Sequence, residues 1–136
     1  MIAGICGSLI GILAIAFARR VNGEHWMYSI SLIVLPVIYG LFAFYAGDHD
    51  VGLKELIIGI PFIVAGLLLT LSNTLQAMMV VGALWILHAL YDVVHEWFFI
   101  NSAAPGWYPT FCASVDVIIG VYVIWAAPQF KRKALS

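Results

Sequence analysis

Charge is what this sequence has least of. Charged residues fill 10% of its 136 positions and hydrophobic ones 64%, where a soluble domain carries about 25% charge. A water-soluble domain of this length needs far more polar surface, so a soluble globular fold is excluded. A net charge of −1 offers nothing to a phosphate backbone, and no nucleic-acid partner is expected. Cysteine is scarce too: Cys6 and Cys112 are too few and too far apart for a disulfide framework or a zinc knuckle. No glycine-rich phosphate loop or haem-attachment motif is present, and no serine or cysteine is marked as a nucleophile beside a base.

What the sequence does have is long apolar runs, at residues 2–17, 26–46, 55–71, 75–100 and 111–130. A helix needs about 20 residues to cross the hydrocarbon, with a working range of about 17–25. The second, fourth and fifth runs meet that length, and the first and third are short. The breaks between runs are too small to fold alone. The sequence therefore predicts an all-α integral membrane protein, a bundle of about five transmembrane helices forming a single domain over residues 1–136. No positive charge precedes the first run, as a secretory signal would require, so it is expected to stay as a helix.

Basic residues set the expected orientation. Lys and Arg in short loops favour the cytoplasmic side. Arg19 and Arg20 follow the first run, and Lys131, Arg132 and Lys133 follow the fifth. An odd number of crossings puts both groups on one side, with the amino terminus outside, the carboxyl terminus cytoplasmic and Lys54 alone outside. The expected location is the cell membrane, a bacterial inner or plasma membrane. Trp26 and Trp125 are then expected at the inner interface, with Trp97, Trp107, Tyr45 and Tyr108 at the outer one. Gly4, Gly7, Gly11, Ala14 and Ala18 form a smooth stripe on the first helix, which predicts close packing against another helix. Pro36 and Pro61 fall inside the second and third runs.

Chemistry concentrates in the fourth run, at His88-Ala-Leu-Tyr-Asp92-Val-Val-His95-Glu96. At about 100° per residue, Asp92 lies about 40° round from His88, and His95 returns to within about 20° of it. Trp85, Tyr91 and Glu96 flank that face. Asp116 enters the fifth helix to a similar depth, with Cys112 one turn above it. Asp48, His49 and Asp50 in the second loop, and Glu55 at the top of the third helix, share the same outer side. Ionisable groups inside a span are costly and tend to face the bundle interior or water, so His88, Asp92, His95, Asp116 and Glu96 are the candidate cation, proton or metal site. Tyr91, Cys112, Asp48, His49, Asp50 and Glu55 are possible contributors.

Imidazole and carboxylate together suit a divalent transition metal such as zinc. The set resembles loosely the histidine-and-aspartate zinc sites of seven-helix membrane hydrolases such as the ceramidase and adiponectin-receptor group. This chain has fewer helices and lacks their paired His-x3-His, so the resemblance assigns no residue a role. Three functions remain open: cation or proton binding for transport, as a homo-oligomer; a membrane-embedded metal-dependent enzyme acting on a lipid or apolar substrate; or a non-catalytic subunit of a membrane complex. Against all three stands a bland alternative, in which His88, Asp92 and Tyr91 are polar glue at a helix contact. Few polar residues (Tyr39, Thr70, Asn73, Gln76) are available for a path to the inner side.

Overall fold

The computed structural model describes residues 1–72 and 74–133, with side chains as far as residue 129. Asn73 and the side chains of Lys131, Arg132 and Lys133 lie outside the described residues. Five helices follow one another: α1 Ile2–Arg20, α2 Glu24–Tyr45, α3 His49–Thr70, α4 Leu75–Phe98 and α5 Tyr108–Lys133. All five are long and apolar enough to cross a membrane. Leu9, Leu13, Leu41, Leu67, Leu68 and Val121 stay exposed on their outer faces, as side chains facing lipid would.

The turns explain where the helices begin and end. At the end of α2, Gly47 takes a left-handed φ of 80°, which costs a residue without a Cβ nothing. Its N–H then reaches the Phe44 carbonyl, and the Asp48 N–H reaches that of Ala43. Those bonds satisfy two carbonyls that the helix end would otherwise leave open. Asp48 at once caps α3, its carboxylate accepting from the Val51 N–H at 3.1 Å. The helix therefore starts at His49, well before the residue 55 expected from hydropathy. His49 and Asp50 belong to its first turn, where an acid suits the helix dipole. A matching reversal ends α1, with Asn22 at φ 54° and the Gly23 N–H on the Ala18 carbonyl. Thr74 caps α4 through the Ala77 N–H.

Glycines set how closely the helices approach. The most extensive contacts are α2 with α3, α4 with α5, and α1 with α5. Gly7 of α1 lies against the Phe111 carbonyl of α5, where an added Cβ would stand 2.3 Å from the oxygen. Gly11 meets Ile118 in the same seam. The small-residue stripe thus faces α5, and α1 and α5 run parallel. Gly59 lies against Pro36, Gly66 against the Ser29 carbonyl, and Gly82 against Gly120.

The two ends of the bundle differ in composition. One carries Met1, the α2–α3 turn and the α4–α5 loop; the other carries Arg19, Arg20 and the α3–α4 turn. Tyr45, Trp97 and Trp107 are exposed at the Met1 end, and Trp26 and Trp125 toward the Arg19 end. Tyr108 departs from the expected interfacial role. It is buried, with edge contacts to the rings of Tyr39 and Phe42. Its position opening α5 turns it inward under the loop.

Candidate cation site between α4 and α5

The α4–α5 contact places His88 and Asp116 opposite each other. His88 Nδ1 stands 2.7 Å from Asp116 Oδ2 and 3.6 Å from Asp92 Oδ2, one turn along the same helix. Donor atoms of the three residues lie within 4.8 Å of one another, and all three residues are buried. Phe62 of α3 closes over His88, its ring edge-on at 5.1 Å between centroids. From α2, the Tyr39 hydroxyl donates to Asp92 Oδ1 at 2.9 Å.

These bonds leave part of the donor set without partners. His88 Nε2, Asp92 Oδ2 and Asp116 Oδ1 are buried and have no hydrogen-bond partner among the described residues. A buried polar atom left unpaired costs about 1–3 kcal/mol, and more when it carries charge. The charge is unbalanced as well. Two carboxylates face one imidazole, and neither α4 nor the stretch of α5 from Tyr108 to Gln129 contains a lysine or arginine. A low-dielectric interior disfavours that excess of negative charge strongly. Polar glue is expected to be mutually satisfied, and three buried polar atoms of this group have no hydrogen-bond partner among the described residues.

The remaining candidates separate into other places. His95 shares the inward face of α4 but lies about 10 Å further along the helix than His88. Its Nε2 is 2.8 Å from Glu55 Oε1. Glu55 also accepts from the Tyr91 hydroxyl at 2.9 Å and from Asn101 Nδ2 at 3.0 Å. Asn101 donates in addition to the Tyr39 carbonyl, which pins the α4–α5 loop onto α2 and α3. This second group is well satisfied, and it reads as a structural lock. Glu96, Asp48, His49 and Asp50 are exposed. Cys112 is buried in the core, Cys6 is exposed, and both are free.

Tyr39 and Asn101 were not singled out as site residues by the sequence. The sequence groups Tyr39 with the polar residues available for a path to the inner side, whereas in the structure it bridges the two groups. Its hydroxyl holds Asp92, and its ring stacks on His95 at 4.7 Å. The signal for it was available in outline: it is a tyrosine in the carboxyl-terminal half of α2, which runs parallel to α4. Asn101 falls in the break between the fourth and fifth apolar runs, where no sequence pattern marks it.

Beside the cluster, α1, α4, the α4–α5 loop and α5 border an open cavity of about 610 Å³ on the Met1 half, and Asp92 forms part of its wall. No protein-family model matches the chain, nor does any curated protein or solved structure.

Proposed function

We propose that this chain is a multi-pass cell-membrane protein, with its amino terminus outside and its carboxyl terminus in the cytoplasm. It binds a divalent transition metal cation such as zinc at His88, Asp92 and Asp116, as a step in carrying that cation across the bilayer. The observation that supports this is the donor set itself: three buried residues, each with a polar atom that has no hydrogen-bond partner among the described residues, and no lysine or arginine on α4 or on α5 between Tyr108 and Gln129. Two carboxylates and a neutral imidazole balance a doubly charged cation. Ligands about 2.0–2.2 Å from a tetrahedral zinc stand about 3.3–3.6 Å apart; His88 Nδ1 and Asp92 Oδ2 are 3.6 Å apart, whereas the 2.7 Å hydrogen bond between His88 and Asp116 has to open for both to reach one cation. Protons are the alternative occupants of the same carboxylates.

Tyr39 acts as a positioning residue. By holding Asp92 at Oδ1 it leaves Oδ2 for the cation, the kind of outer support that orients metal ligands. Three protein ligands leave one tetrahedral position open for exchange. Toward the Arg19 end, Leu32, Met78, Val81 and Trp85 fill the core. Onward passage therefore needs a rearrangement or a route between copies, which favours a homo-oligomer. The test is zinc uptake by proteoliposomes that entrap a zinc-sensitive dye. Uptake that Asp116→Asn abolishes is the expected result, and no uptake above protein-free vesicles overturns transport.

One observation favours a second reading. Asp92 also borders the 610 Å³ cavity, so an open metal position would lie close to a space large enough for part of a lipid. A membrane-embedded metal-dependent hydrolase acting on a lipid or other apolar substrate would use it so. Zinc that binds without being moved, together with hydrolysis of vesicle lipid, would favour the enzyme.

A further inference from the structure

The cavity has a chemistry of its own. Its wall carries two carboxylates, Asp92 and Glu96, and among the described residues it has no lysine, arginine or histidine. Asp92 is only 2% exposed, and its Oδ2 has no hydrogen-bond partner among the described residues, with His88 Nδ1 3.6 Å away. Glu96 is exposed, and among the described residues no cation pairs with it. The rest of the wall includes Val93, Val117 and Ile118, and Trp97 stands at its edge, 83% exposed. A volume of about 610 Å³ falls in the range of about 300–1,000 Å³ usual for small-molecule sites.

We propose that this cavity binds a lipophilic organic cation, with an ammonium group toward Glu96 and Asp92 and an apolar body along Val93, Val117 and Ile118. The charge selects the sign. The first turn of α5, at Pro109 and Thr110, contributes about half a positive charge through its helix dipole, which two carboxylates outweigh. Trp97 adds an aromatic face, and such faces attract organic cations through the ring quadrupole. A bare metal ion gains nothing from the aliphatic wall, whereas an amphiphile gains in proportion to the apolar surface it removes from water. The ammonium group could be carried by a free amphiphile or by the headgroup of a choline lipid; the recognition chemistry is the same. His88 and Asp116 do not line the cavity, but Asp92 belongs to both sites, so with a metal bound at Asp92 the ammonium is held by Glu96 alone.

The test is calorimetric titration of octyltrimethylammonium into the full chain in phosphatidylglycerol nanodiscs, with octyl sulfate as the anionic control. Glu96→Gln in the same discs cancels simple partitioning, and the exposure of Glu96 makes that variant safe for the fold. Saturable binding of the ammonium but not the sulfate, weakened at least tenfold by Glu96→Gln, is expected. Repeating the titration in phosphatidylcholine discs identifies the source. Weaker apparent binding there assigns the site to a lipid headgroup, and unchanged binding assigns it to a free amphiphile. Non-saturable binding, equal binding of octyl sulfate, or no effect of Glu96→Gln overturns the proposal. Zinc binding is scored separately with His88→Ala, so failure of the metal seat is distinguishable from failure of the cavity.

Discussion

Tyr39 of α2 touches two histidine–carboxylate groups at once. Its hydroxyl donates to Asp92 at 2.9 Å while its ring stacks on His95 at 4.7 Å. Replacing it with Phe keeps the stack and removes only the bond that fixes Asp92. Outer-shell partners of metal ligands typically contribute 10–100-fold to affinity. Tyr39→Phe is therefore expected to bind zinc about 10–100-fold more weakly at unchanged secondary structure, read by calorimetry and circular dichroism. Wild-type affinity in the variant would mean that Asp92 is not held through this bond.

Glu55 is expected to behave differently. Its carboxylate receives His95, Tyr91 and Asn101 and ties α3 and α4 to the loop before α5. Glu55→Ala strands three donors at a cost of about 1–3 kcal/mol each, partly recovered where water reaches them. Thermal unfolding in detergent should show a net loss of roughly 3 kcal/mol with zinc stoichiometry retained. Loss of zinc at unchanged stability would move Glu55 into the cation site.

Position 7 on α1 tests the packing. An added Cβ at Gly7 would stand 2.3 Å from a backbone oxygen of α5, whereas at Gly4 it would meet the Ser114 hydroxyl at 3.3 Å. Gly7→Ala is expected to destabilise by about 1–3 kcal/mol, and Gly4→Ala by no more than about 0.5 kcal/mol. Equal effects at both positions would place the close contact elsewhere.

Helical arithmetic brought His88 and Asp92 to one face of α4 and Asp116 to their depth, and the three do meet. The same arithmetic put His95 on that face. A shared face does not make a shared site, since two helical turns of rise let His95 find Glu55 instead. The lock formed by Glu55 and Asn101 was illegible because it depends on a loop folding back onto α2 and α3, and no local pattern encodes that. The start of α3 was missed because Gly47 and Asp48 act through backbone geometry and capping, while hydropathy registered only their polarity.

The proposed orientation rests on Arg19, Arg20 and the basic residues that end α5. In a Cys6→Ser background, Lys54→Cys should react with an impermeant maleimide in intact cells. Arg20→Cys should react only after permeabilisation. The reverse pattern would invert the topology and put the cation site in the inner half of the membrane.

The central claim is that His88, Asp92 and Asp116 hold a cation. Its most direct test is the zinc content of the purified, dialysed protein after loading, measured by elemental analysis beside His88→Ala and Asp116→Asn. One zinc per chain in the wild type and a loss of at least tenfold in both variants is the expected result. No zinc in the wild type, or equal zinc in all three proteins, would contradict it.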